Sequence, residues 1–193
     1  MTMPLDPTRT ALLVMDFQTG IVSNLADPDE LVRRTAQALR RARSAGVRIA
    51  YVRVAFGAQD YDAVSPLNKS FAVLAGSGRL ADGSAEAAII PELAPEPGDI
   101  VVTKTRVGAF STTNLAKLLN PRTTDNLILA GVSTSGVVLS TVRDAADRDY
   151  RLYVLADCCA DPNAEVHRVL TEQVFPRQAE VITAATLPGL LGR

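Results

Sequence analysis

The sequence has a single histidine, and its only two cysteines, Cys158 and Cys159, are adjacent. One histidine cannot build the multi-histidine sites that zinc favours, so no metal centre is expected, and His167 reads as a packed or capping residue on a helix. A bond between neighbouring cysteines is strained, which excludes a structural disulfide framework, and reduced thiols fit a cytoplasmic setting. No apolar stretch approaches the roughly 18 residues of a membrane-crossing helix, and Met1 to Thr10 lacks the basic-then-apolar order of a signal peptide. No membrane partner is expected. With 20 basic and 21 acidic residues the formal net charge is -1, too little to build a field for a phosphate backbone, so nucleic acid is not an expected partner. No glycine-rich phosphate fingerprint follows the first apolar run, so neither NAD nor ATP is implied and no cofactor is expected. Low-complexity tracts and internal repeats are also missing.

What is present fits one α/β domain spanning 1–193. The chain is long enough to bury a full core, and 47% hydrophobic with 21% charged residues lies in the globular range. Short apolar runs at Ala11–Met15, Val47–Val54, Ile100–Val102, Leu127–Ala130 and Leu152–Leu155, with a weaker one at Ala179–Ile182, read as buried parallel strands. They alternate with helical segments. The first has Asp27 as cap, Pro28 at the first position, Asp29 and Glu30 in the opening turn and Gly46 past the end. Its apolar positions fall on one face and its arginines off it, as a solvated surface requires. Further helices are expected over Thr112–Leu119, Thr134–Arg148 and Asn163–Phe175. Strand–helix–strand repeats with right-handed crossovers give a doubly wound, mainly parallel six-stranded sheet with helices on both faces, and sites in such sheets form at the carboxyl ends of strands. Phe56 to Gly98 breaks the rhythm, with scattered Gly, Pro, Asp and Ser and one short helix around Phe71–Leu74. So long a segment reads as a lid or a subunit contact.

Three strand ends carry the candidate site. Asp16 follows Leu12-Leu13-Val14-Met15, which puts a carboxylate at the mouth of a buried strand, although a loop cap would use the same residue. Lys104 follows Ile100-Val101-Val102-Thr103 in the same way. A lysine beside an aspartate can hold it ionised, stabilise a developing anion or form a plain ion pair. The turn Gly131-Val132-Ser133-Thr134-Ser135-Gly136-Val137 then opens a helix, where backbone N–H groups can hold an oxyanion. A catalytic nucleophile is expected at such a turn, and Val137 stands there. Phe17, Gln18 and Phe110 neighbour the acid and base and are candidate substrate contacts. Ser133 and Ser135 have no histidine nearby in sequence to activate them. Cys158 and Cys159 end a strand and read as small packed residues.

Val14-Met15-Asp16-Phe17-Gln18, Lys104 followed by Ala109-Phe110-Ser111-Thr112-Thr113-Asn114-Leu115, and Gly131-Val132-Ser133-Thr134 with Thr141 and Ala145 resemble, in order and spacing, the three site motifs of the isochorismatase-like hydrolases. In cysteine-bearing members, the resemblance implies, Asp and Lys assist a Cys that attacks an amide carbon, and a cis peptide shapes the turn. Here that bond would be Val132–Ser133 and the nucleophile position would be Val137. Isochorismatases proper lack the Cys and split a vinyl ether, for which an acid at Asp16 and a water suffice. Nicotinamidases of the superfamily bind metal through histidines after the second strand, and Phe56 to Ser70 has none. The resemblance also implies a homodimer or larger homo-oligomer, with the 56–98 segment near the interface. Two readings stay open: a cofactor-independent hydrolase of a small metabolite using Asp16 and Lys104, and a non-catalytic ligand-binding or scaffold protein that has lost its nucleophile.

Overall fold

In the computed structural model, which describes residues 4–120 and 122–192, six parallel strands form one sheet. They are β1 (Thr10–Met15), β2 (Arg48–Val54), β3 (Ile100–Lys104), β4 (Asn126–Val132), β5 (Arg151–Ala160) and β6 (Glu180–Ile182), in the order β3-β2-β1-β4-β5-β6. The chain winds outward from β1 to β3, then crosses back to lay β4 on the free edge of β1. The β1/β4 boundary is therefore the switch point at which an α/β sheet opens a crevice.

Both faces of the sheet are covered, which is why the strands read as continuous apolar runs. Alternate residues of β1 feed two cores: Leu12 and Val14 join Leu39, Ala42, Tyr51 and Ile128 on one face, whereas Ala11, Leu13 and Met15 join Val52, Leu129, Val142 and Phe175 on the other. The long helix α2 (Pro28–Ala45), which follows the short α1 (Thr19–Val22), covers the first face. Gly46, at φ 85°, ends it in the left-handed conformation and donates its N–H to Ala42 and Arg43. Asp27 occupies the expected N-cap position, but its carboxylate makes no cap hydrogen bond.

Three expected helices are shorter or differently wound. Instead of Thr112–Leu119, α5 covers only Leu115–Leu119, because Thr113 Oγ1 accepts from Leu115 N and donates to Ala109 O, and Thr112 Oγ1 accepts from Thr105 N. Such side-chain bonds give the backbone an alternative to the helix. The segment expected as Thr134–Arg148 begins with a π turn, Thr134–Val138, before α6 (Leu139–Asp147). The segment expected as Asn163–Phe175 is α7 (Ala164–Val169), a π turn over Leu170–Val174 and a 3-10 turn with Pro176, which cannot continue the ladder. β5 runs well past Leu155, and its pairing with β4 shifts between Leu129 and Gly131, so that Cys159 lies opposite Gly131.

Residues 56–98 hold more order than the sequence suggests. They contain α3 (Ala58–Asp62), α4 (Lys69–Gly76) and a 3-10 turn at Pro91–Leu93. Asn68 caps α4 by accepting from Phe71 N. Phe56, Val64, Phe71, Leu80 and Ala87 form a third apolar cluster with the end of β2, while Leu67 and Val73 remain exposed at 92% and 74%. Among the described residues no helix is long and apolar enough to cross a membrane.

Candidate active site

Asp16 is the first residue past β1. Its N–H donates to Val52 O at 2.8 Å and its φ of 59° turns the chain sharply off the sheet. Lys104, the last residue of β3, reaches past β2 so that its Nζ lies 2.8 Å from Asp16 Oδ2 and donates to Arg106 O at 3.2 Å. Both side chains are buried, at 7% and 2% exposure. Asp16 Oδ1 is buried without a hydrogen-bond partner. Burial pushes the Asp16 carboxyl above its ordinary value, and the charge and hydrogen bond of Lys104 oppose that shift. The strand ends thus bring Asp16 and Lys104 together, with one carboxylate oxygen unpartnered.

Asp16 and Lys104 line a cavity of about 310 Å³ that is also walled by the turn after β4: Val132, Ser133, Gly136 and Val137. The Val132–Ser133 peptide is cis. Close approach explains the glycines here. A Cβ on Gly131 would stand 3.2 Å from Met15 O and 3.0 Å from Val138 Cγ2, and one on Gly136 would meet Ser133 Oγ at 2.7 Å. The π winding engages several of the turn's amides. Gly136 N and Val138 N donate to Ser133 O, and Ser135 N donates to Asp161 Oδ2 at 2.8 Å. Those three N–H groups are committed within the protein, so the oxyanion donors expected from this turn are fewer than its length suggests. Val137 is 2% exposed and presents methyl groups to the cavity.

The remaining expected contacts lie elsewhere. Gln18 is fully buried: its Nε2 donates to Val54 O and Ala87 O, and its Oε1 accepts from Val54 N, all within 2.7–2.8 Å. It ties the 56–98 segment to the ends of β1 and β2 rather than lining the cavity. Phe17 packs in the α2-side core, and Phe110 stacks on Tyr150 beneath Arg148. Burial pushes the Cys158 thiol up to about 12 and raises Cys159 further, and neither lines the cavity. Such thiols do not ionise to attack a substrate. His167 is half-buried on α7, with Nδ1 2.8 Å from Thr134 Oγ1.

Sequence reasoning missed the cavity's third wall, made by Phe71, Leu74, Arg79 and Leu80. No periodicity or motif marks Arg79. Its position is fixed by Glu86, at 2.5 Å, and by donation to Gly20 O. A larger hollow of about 620 Å³ lies against α2, rimmed by Asp29, Arg33, Arg40 and Glu92. Its charged groups reach water, so the perturbed chemistry belongs to the smaller cavity. Among the described residues no group of three or more His, Cys, Asp or Glu is placed to hold a metal ion.

Residues 10–186 match the isochorismatase domain. A Pseudomonas chlororaphis protein named "Probable isochorismatase" is 35% identical over 182 residues, covering 93% of this chain and 84% of the relative. Ureidoacrylate amidohydrolase RutB of Methylobacterium radiotolerans is 32% identical over 210 residues, covering 97% and 81%. The crystal structure of a cysteine hydrolase from Pseudomonas syringae pv. phaseolicola superposes with a TM-score of 0.85 at 25% identity, over 98% of this chain and 95% of the other. The six-stranded parallel sheet, its crevice at β1/β4 and these matches along nearly the whole chain lead to one conclusion: the protein belongs to the isochorismatase family of hydrolases.

Proposed function

We propose that this chain hydrolyses a small metabolite by acid catalysis at Asp16, without a covalent intermediate and without a cofactor. The carrying observation is the pairing of a buried carboxyl, one oxygen unpartnered and beside Lys104, with a valine wall where cysteine-bearing members hold their nucleophile. The named relatives include a "Probable isochorismatase" and an amidohydrolase, and Val137 favours the first chemistry. In vinyl-ether cleavage, Asp16 in its acid form donates its proton to the enol carbon, leaving an oxocarbenium ion. Water adds to that cation, and the hemiketal collapses to a ketone and an alcohol while a proton returns to Asp16. Burial favours the protonated carboxyl that this route requires. Lys104 offsets the aspartate charge left after the first transfer. Arg79, which lines the cavity paired with Glu86, is a second cation that a carboxylated substrate would share with that glutamate.

The test is incubation with isochorismate and coupled detection of pyruvate, with Asp16→Asn in parallel. Release by the native protein and a loss of about 10²–10⁴-fold in the variant support acid catalysis. Equal turnover by both refutes it. A second reading, ligand binding without chemistry, is favoured by the same valine and by the committed amides of the turn. It is tested by saturable binding that yields no product. A homodimer or larger homo-oligomer that covers Leu67 and Val73 is part of the proposal, and a monomer by light scattering at micromolar concentration counts against it.

A further inference from the structure

We infer that His167 is a positioning residue for the cavity: through the Thr134 hydroxyl it sets where the turn carrying Ser133 and Val137 stands relative to Asp16 and Lys104. The assignment rests on the hydrolase reading in treating that turn as part of the site, and its test is independent of turnover.

Two adjacent residues tie the turn to the elements that follow β5. Thr134, fully buried, has its hydroxyl 2.8 Å from His167 Nδ1, and Ser135 N donates to Asp161 Oδ2 at 2.8 Å. Both anchors belong to one frame. Asp161 Oδ1 accepts from Asn163 N, the Asn163 side chain caps α7 at Glu165 N and Val166 N, and His167 N donates to Asn163 O. Pro162, between the two capping residues, lines the cavity with Gly136 and Val137. A shift of α7 therefore carries both the turn and one edge of the cavity.

The Thr134 tie has a direction that depends on the ring. A neutral imidazole with a bare Nδ1 accepts the threonine proton, whereas a doubly protonated ring only donates. Thr134 then still has its oxygen engaged, but its O–H must find another acceptor in a site closed to water, or the turn must move. Charged groups near the ring are few. Asp161, in the loop before α7, attracts the charged form. On α7 itself Arg168 is held by Glu165, and by Glu172 of the next turn, while Thr134–Val138 contributes no titratable side chain. Burial disfavours the charged ring more than Asp161 favours it. With the proton of the neutral ring on Nε2 the tie has Thr134 as donor, and acidification past the lowered titration of the buried ring reverses it.

With one histidine in the chain, the imidazole signals need no assignment strategy. The experiment follows the ¹⁵N shifts of His167 and the ¹³C methyl shifts of Val137 by NMR from pH 8 to pH 4.5. The expected result is a Val137 methyl shift that tracks the ring titration in the native protein. It should stay fixed at its neutral-pH value in His167→Asn, whose amide oxygen can accept near the place of Nδ1, and lie displaced at every pH in His167→Leu. Both variants are checked for native circular dichroism; Thr134→Val, which removes the hydroxyl, should abolish tracking, and Thr134→Ser, which keeps it, should preserve it. Val137 methyls that ignore the titration overturn the inference. If isochorismate is turned over, the native enzyme should lose kcat with KM unchanged on the acid side, and His167→Asn should not. Tracking without turnover of isochorismate leaves the positioning role standing and counts against isochorismate as the substrate alone.

Discussion

Replacing Lys104 with methionine keeps most of the side-chain volume, removes the charge and leaves Asp16 buried with neither oxygen paired. A carboxyl in that position stays neutral in the folded state and titrates near 3.9 in the unfolded chain. Keeping it protonated costs about 1.4 kcal/mol per pH unit above that value, hence about 4 kcal/mol at pH 7 and about 1.5 kcal/mol at pH 5. The figure at pH 7 agrees with the roughly 3–5 kcal/mol lost when one partner of a buried ion pair is removed, a large share of a typical stability of 5–15 kcal/mol. The sign follows from proton counting. The folded variant binds more protons than its unfolded chain, so its stability is greatest below pH 4 and falls as pH rises. If Lys104 holds Asp16 ionised in the ligand-free wild type, so that protonation belongs to the substrate complex, urea unfolding, followed by circular dichroism because the chain has no tryptophan, should show a gap between wild type and Lys104→Met that narrows by about 2.5 kcal/mol from pH 7 to pH 5. A gap that stays constant across this range refutes the ion pair as an energetic element and assigns the loss to packing of the lysine stem.

Gln18→Leu removes the side-chain partner of Val54 N and Val54 O in a dry interior and leaves Ala87 O only the longer bond from Arg53 Nη1. At about 1–3 kcal/mol for each unsatisfied group it should lower the midpoint in urea markedly, and unchanged stability would remove Gln18 as the tie for the 56–98 segment. Cys158 and Cys159, both buried with raised thiols, should react with a thiol reagent only on unfolding, so rapid labelling of the native protein at pH 8 would contradict their burial.

The sheet was legible because each β-strand buried on both faces leaves a run of apolar residues, and Asp16 and Lys104 stood out as charges at the ends of such runs. β5 was underread for the same reason in reverse. Asp157, which accepts from Ala184 N, interrupts the run although the strand continues to Ala160. Gln18 looked like a ligand contact because sequence shows proximity to Asp16 but not the backbone groups of residues 36 and 69 positions away that saturate it. Arg79 and the His167–Thr134 contact are likewise products of tertiary folding, with no local period or cap to announce them. The Thr134–Val138 turn read as ordinary helix, since its i to i+5 winding has no compositional signature.

The left-handed backbone at Asp16 bears on how this position can drift. Of the residues one nucleotide away from an aspartate codon, asparagine and glycine adopt that conformation readily, whereas valine meets both a steric penalty at positive φ and the loss of a partner for Lys104. A lineage that abandoned chemistry here yet kept the fold would be expected to show Asn or Gly at this site. The same constraint makes Asn a fairer experimental control than Ala, since it removes the acid while leaving the course of the chain unchanged.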